Sequence, residues 1–156
     1  MRAYFCPFGM TAVTVAADLI EATPADDRLI TVLRCNLGQT TELGDAAEEF
    51  IATTFIRGHT TSGSGGVAAA AGNSADPSDV ASGFTYEALN TTAASVGTTK
   101  ILAQLVWSVR GGLDLIFLPE EHFWTTQGNT TLVWRMGAAP ADSITLGGCV
   151  SIGEVG

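Results

Sequence analysis

Apolar and polar residues alternate with a period of two along most of this chain, a pattern that predicts β-strands. Within residues 100–110, every second position is apolar: Ile101, Ala103, Leu105, Trp107 and Val109. Residues 11–21 and 29–37 alternate in the same way, the latter with Leu29, Thr31, Leu33, Cys35 and Leu37 on one face. A helix would scatter such residues around its circumference. Further strands are predicted at residues 3–8, 49–57, 84–90, 113–118, 130–136 and 143–152.

Most of the segments between these strands carry turn residues, and two of them are long. Pro24 and Pro140 lie in Pro- and Asp-containing turns, and the sequence 127–129 (Gln-Gly-Asn) suits a tight connection. Residues 40–48 are compatible with a helical turn. Residues 59–83 are rich in Gly, Ala and Ser and exceed ordinary connections of about 2–6 residues, so they predict a long loop insertion.

Eight or nine antiparallel strands with short turns predict an all-β fold: an antiparallel β-sandwich, with the jelly roll favoured. An immunoglobulin-like sandwich ranks second because the Cys…Trp…Cys spacing is missing, and a parallel α/β fold lacks its helices. The length of 156 residues suits a single domain spanning residues 1–156, with the long loop at about 58–83.

The amino-acid composition argues against some classes of binding partner. Hydrophobic residues make up 46% and charged residues only 15% of the chain, and the formal net charge is −9. Such an acidic protein has no basic stripe for phosphates, which argues against nucleic-acid binding. No apolar run is long enough to span a membrane, and no signal-peptide pattern opens the chain. We therefore expect a soluble protein made in a reducing cytoplasm, with much of its weakly charged surface covered by other copies or a partner.

No residues stand out as catalytic, cofactor-binding or metal-binding, so we do not expect an enzyme. Glu120, Glu121 and His122 have suitable side chains, but adjacent strand residues point to opposite faces, and a solvated loop is the better interpretation. Residues 57–66 are glycine-rich yet lack the Gly-Lys-Ser/Thr ending of a phosphate-binding loop. The three cysteines are far apart in the sequence, which predicts free thiols.

Several sequence stretches resemble a group of small virion-associated proteins of tailed bacteriophages. The resemblance covers about two-thirds of the chain and rests on these segments: 37–39, 42–46 with Glu48 and Glu49, 57–66, 76–79, 83–84, 90–92 and 138–143. These are loop motifs and carry no catalytic signature. The resemblance implies a β-rich structural protein located on the virion after synthesis in the host cytoplasm, such as a capsid decoration or cement protein.

We expect such a protein to bind the major capsid protein or other virion proteins as a symmetric homo-oligomer, most simply a homotrimer. The long loop would act as an arm toward neighbours, and Trp124 lies off the predicted apolar faces. The expected interface residues are therefore His59, Thr60, Thr61, Ser62 and Trp124. The alternatives are another head–tail structural component, a carbohydrate- or receptor-binding β-sandwich module, and a cupin-like metal enzyme, which two histidines support poorly.

Overall fold

The computed structural model describes residues 1–41, 48–125 and 130–156, and these residues form two antiparallel β-sheets packed face to face. The predicted antiparallel β-sandwich is confirmed. The described residues contain one 3₁₀ turn, Pro119–Glu121, and the following strands: β1 Arg2–Val13, β2 Ala17–Pro24, β3 Leu29–Gln39, β4 Phe50–His59, β5 Val67–Ala71, β6 Asn73–Ser74, β7 Phe84–Asn90, β8 Lys100–Ser108, β9 Leu113–Ile116, β10 Thr131–Met136 and β11 Ile144–Val155.

The strand order is that of a jelly roll with additional strands at its edges. One sheet has the order β6-β1-β11-β3-β9 and the other β5-β7-β2-β10-β4-β8. Without β5, β6 and β7, each sheet keeps four strands, in the orders β1-β11-β3-β9 and β2-β10-β4-β8. Successive strands then cross from one sheet to the other, except β4 and β8, which pair within one sheet, and this is the jelly-roll arrangement. The three additional strands all come from residues 67–90, between β4 and β8.

The core fills the space between the two sheets with residues from the inward face of each strand. Trp134 of β10 stacks on Phe55 of β4 with ring centroids 5.2 Å apart, and its indole N–H donates to the hydroxyl of Thr53 at 2.9 Å. Tyr4 of β1 meets Phe84 of β7 edge-on at 5.6 Å. The first contact joins neighbouring strands of one sheet and the second joins the two sheets, so both belong to one apolar core, which is the main stabilising feature of a sandwich.

The long segment at residues 59–83 differs from the uninterrupted loop that its composition predicts. It contains β5, which pairs with β7, and β6, which pairs with β1. Ala75 N also donates to the carbonyl of Ala3 at 2.9 Å. Backbone hydrogen bonds to the same chain therefore supply the ordering energy that its small side chains cannot, and the segment does not extend away as an arm.

Two sequence-based predictions fall wholly or mainly outside the described residues. These are the helical turn at residues 40–48 and the tight turn at 127–129. The phage-like stretch 42–46 also lies outside them. In the part of the chain that the structure describes, no helix is long and apolar enough to cross a membrane.

Candidate interaction surface

Two hydrogen-bonded segments form a cover over the outer surface of β2 and β10. The chain after β4 and the chain after β7 run antiparallel, and Thr61 and Ser95 exchange two backbone hydrogen bonds of 3.0 and 2.9 Å. Ser64 and Thr92 do the same at 3.0 and 2.9 Å. These two segments, 61–64 and 92–95, are therefore held to each other before any side chain contributes.

Two buried carboxylates of β2 accept backbone hydrogen bonds from this cover and hold it on the sheet. Asp18 accepts hydrogen bonds from Arg135 of β10 at 2.5 and 3.0 Å, and from the backbone N–H of Ala94 at 2.7 Å. Glu21 accepts from the N–H of Gly63 at 2.9 Å and from the Asn90 amide at 3.2 Å. The ion pair raises the pKa of Arg135, chiefly through its hydrogen bond to Asp18. Hydrogen bonds from the backbone of the cover to both carboxylates offset part of the cost of removing these carboxylates from water.

The cover leaves the outer surface of β4 and β8 open, and that surface carries no charged side chain. We call it the β4–β8 patch, which consists of four cross-strand pairs: Phe50–Ser108, Ala52–Val106, Thr54–Gln104 and Ile56–Ile101. Phe50 is 64% exposed, Ile101 63% and Val106 65%. The patch combines exposed apolar side chains with a few neutral polar ones in a chain of net charge −9. Contiguous exposed apolar surface of this kind marks interaction sites.

The patch continues round the edge of the sandwich, since β8 is the last strand of its sheet. Behind that edge, a groove of about 340 Å³ opens between β8 and β9, lined by Leu102, Ala103, Leu115, Ile116, Phe117, Glu121 and Phe123. Ile116 is 70% exposed and nearby Leu118 is 59% exposed. A long edge strand beside apolar side chains can pair with another chain unless something covers it.

The expected interface residues lie on the cover and at one end of the sandwich, not on this patch. Thr60, Thr61 and Ser62 are exposed, and Ser62 Oγ is 3.5 Å from Glu87 Oε2. His59 is only 7% exposed, and its Nδ1 lies 3.3 Å from the carbonyl oxygen of Val96. His59 therefore packs inside its own chain and is not available to a partner.

Trp124, the remaining expected interface residue, is half-buried. Its backbone forms an isolated bridge with Thr31 of β3, and its carbonyl accepts a hydrogen bond from Arg57 of β4. This backbone contact with both sheets fixes the residue at the end of the sandwich. The other two tryptophans are buried, Trp107 at 3% exposure and Trp134 at 0%.

The residue types that suggested chemistry in the sequence do not converge. Glu121 Oε2 accepts from the N–H of Leu118 at 3.2 Å, His122 Nε2 lies 3.1 Å from the carbonyl oxygen of Phe117, and Glu120 is exposed. Among the described residues, no group of three or more His, Cys, Asp or Glu side chains is placed to hold a metal ion.

The three cysteines are free thiols, as predicted from their spacing. Burial raises the pKa of Cys35 to about 12 and also raises that of Cys6, where the charge of Cys149 adds to the effect. Thiols with raised pKa in an apolar core are unreactive, so they pack as small apolar residues.

Comparison with known proteins identifies no relative of this chain. No protein-family model, curated protein or solved structure matches the chain. The function proposed for it therefore rests on the distribution of charge and apolar surface over the jelly roll.

The main surface that sequence analysis missed is the β4–β8 patch itself. One signal for it was present, since Val106 is apolar although it lies on the face that carries Gln104 and Ser108. Phe50 and Ile101 gave no such signal, because alternation alone assigned Ile101 to the core.

Proposed function

We propose that this protein is a structural jelly-roll module that associates with copies of itself on a larger particle, as a decoration or cement protein of a tailed-phage head. The observation that carries the proposal is the uncharged, exposed β4–β8 patch. The resemblance of the loop motifs to virion-associated phage proteins directs the proposal toward a capsid surface.

Three large apolar side chains, Phe50, Ile101 and Val106, lie mostly in solvent. Burying such surface stabilises a complex by roughly 25 cal/mol per Å², and the absence of charge removes the desolvation penalty that Lys or Glu would impose. A stable interface buries about 800 Å² per partner, so the apolar groove behind β8 would extend the contact area.

Self-association is tested by placing a charge at the centre of the patch. In Val106→Glu, a carboxylate must be buried whenever the patch is covered, so the oligomer should dissociate to monomers at micromolar concentration. Val80→Glu is the matched control, because Val80 is also exposed, at 59%, but lies in the segment before β7. Sedimentation velocity measures the outcome, with circular dichroism to verify folding.

Particle binding needs a second experiment. Phage particles assembled without this protein should bind the wild type and the Val80→Glu variant and pellet with them, whereas Val106→Glu should remain in the supernatant. A monomeric wild type that does not bind particles would refute the proposal. Equal behaviour of the two variants would show that the β4–β8 patch is not the surface in contact.

The glycan-binding alternative lacks support from the tryptophans. Stacking on a sugar requires an exposed aromatic face, and two of the three indoles lie inside the core. Phe50 is exposed but stands among Ala52 and Val106 in the patch, where it suits a protein contact.

A further inference from the structure

Two basic residues of this acidic protein form no ion pair with any acidic residue that the structure describes. The chain has seven basic residues. Four arginines form ion pairs with Asp or Glu side chains: Arg2, Arg28, Arg34 and Arg135. Arg110 also has an interaction of its own. Within the described ranges, no ion pair joins Arg57 or Lys100 to an acidic side chain, although acids outnumber bases by 16 to 7.

These two residues are direct neighbours. Arg57 of β4 and Lys100 of β8 are opposite each other in the antiparallel register. Like charges directly opposite on neighbouring strands are destabilising. Arg57 is held in place, because its guanidinium donates to the carbonyl of Trp124 at 2.5 Å. The chain therefore keeps two cations together without the acidic neighbour that would stabilise them.

Both side chains line one cleft of about 450 Å³, together with Gly58, Thr60, Thr98 and Thr130. The lining contains cations, hydroxyl groups and backbone, and no carboxylate. Gly58 adopts a φ of 96°, and a Cβ on it would lie 2.3 Å from the carbonyl oxygen of Thr98. Only glycine permits this approach, which brings Thr98 beside the strand that carries Arg57.

We propose that this cleft binds an oxyanion, either a carboxylate or a phosphate group. An anion between Arg57 and Lys100 removes their mutual repulsion and receives charge-assisted hydrogen bonds from both, and the hydroxyls of Thr60 and Thr98 donate to its remaining oxygens. The oxyanion is a free small molecule or an acidic side chain of a second copy. The cleft is lined by residues outside the β4–β8 patch, so binding of a free anion does not depend on the proposed function, whereas binding of an acidic side chain from a second copy rests on the proposed self-association.

The free anion is tested with inorganic phosphate. Wild type, Lys100→Gln and Arg34→Gln are unfolded by heat at increasing phosphate concentration, with chloride added to keep the ionic strength constant. Both variants lose one positive charge, but Arg34 lies on the other sheet in an exposed pair with Asp114. Phosphate bound to the native state should raise the unfolding temperature of wild type and Arg34→Gln, with an effect that follows the binding isotherm. Lys100→Gln should bind phosphate at least tenfold more weakly.

The second possible source of the oxyanion, an acidic side chain of another copy, is tested by measuring self-association. If a carboxylate of another copy fills the cleft, Lys100→Gln should weaken self-association at least tenfold relative to Arg34→Gln, and phosphate should compete with it. The inference is overturned if neither measurement separates the two variants. It is also overturned if Lys100→Gln unfolds at a lower temperature than wild type in chloride alone, since relief of repulsion predicts the same or a higher temperature.

Discussion

The buried ion pair between Asp18 and Arg135 allows a quantitative test of how the cover is held. We consider Arg135→Met, which keeps an unbranched side chain but removes the guanidinium. The variant deletes both hydrogen bonds to Asp18 and a third, of 2.8 Å, to the carbonyl of Ala94. Asp18 then keeps the N–H of Ala94 as its one remaining described donor.

The expected loss in the free energy of unfolding follows from the burial of the Asp18 and Arg135 side chains. Removing one partner of a buried ion pair costs about 3–5 kcal/mol, because the other charge stays buried without compensation. The Asp18 side chain is 0% exposed, but that of Arg135 is 22% exposed, and water reaches part of the site. The lower end of the range therefore applies, about 3 kcal/mol. For a protein of this size, such a loss lowers the melting temperature by roughly 6–12 °C.

Urea denaturation followed by tryptophan fluorescence measures this change, since Trp134 lies next to Arg135 in β10. The matched control is Arg34→Met. Arg34 has the same bidentate geometry with Asp114, at 2.9 and 2.7 Å, but both side chains are largely in solvent. Exposed pairs contribute little, so the control should unfold close to wild type.

A double-mutant cycle with Asp18→Asn completes the test. Once Arg135 is absent, neutralising Asp18 should remove part of the penalty, so the double variant should be more stable than the sum of the single effects predicts. Hydrogen exchange at the N–H of Ala94 should quicken in Arg135→Met. If Arg135→Met and Arg34→Met lower the free energy of unfolding equally, burial does not determine how much these ion pairs contribute to stability.

Two further predictions concern the thiols and the glycine at the cleft. In native protein at pH 8, a thiol reagent should label Cys149 well before Cys6 and Cys35, because Cys149 is partly exposed whereas the other two are buried. Denatured protein should show three thiols, and rapid labelling of all three in the native state would contradict the burial. Gly58→Ala should lower the free energy of unfolding by more than 1 kcal/mol, because its positive φ and the Thr98 carbonyl both exclude a Cβ. The control Gly9→Ala should have little effect, since nothing lies within 4 Å of the added methyl group.

Alternation predicted most of the strands, but it could not predict the bulges. Residues 11–21 alternate like a single strand, yet β1 ends at Val13 and β2 begins at Ala17. In β3 the pairing with β11 shifts after Val32, and Leu33 becomes an additional residue. Ile30 and Val32 are therefore fully buried in place of the predicted Leu29 and Leu33. A one-residue bulge reverses the face of every residue beyond it.

The same effect places Ile101 in the β4–β8 patch. The pairing of β8 with β4 shifts between Ile101 and Ala103, and Leu102 becomes the additional residue. Ile101 is therefore 63% exposed, although alternation assigns it to the core. The sequence does not reveal this bulge, because Ile101 and Leu102 are both apolar and either could point inward.

The buried acids of β2 were not predicted for a different reason. In the alternation of residues 11–21, Asp18 falls on the face opposite Ala17 and Leu19, and a carboxylate on such a face normally lies in water. The cover that buries it comes from residues 61–64 and 92–95, far away in the sequence. Only the tertiary fold brings these segments onto β2, so composition suggested a free loop where the structure has a polar layer.

The two edges of the larger sheet determine what kind of oligomer the protein can form. At one edge lies β8 with the β4–β8 patch, and at the other lies β5, whose sequence Val-Ala-Ala-Ala-Ala is uncharged and exposed throughout. Pairing of β8 with β8 of a second copy is two-fold and ends at a dimer, whereas pairing of β8 with β5 leaves one free edge on each copy and continues until a ring closes.

A homotrimer assembled through the edges of this sheet would therefore require β5 as well as β8, and Val67→Glu distinguishes the two arrangements. Val67 is 55% exposed on β5, so a carboxylate there should dissociate a ring while leaving a two-fold β8 dimer intact. Val106→Glu should dissociate both. Native mass spectrometry of the two variants gives the answer: if Val67→Glu keeps the stoichiometry of the wild type, β5 is not in the interface, and a closed ring through the sheet edges is ruled out.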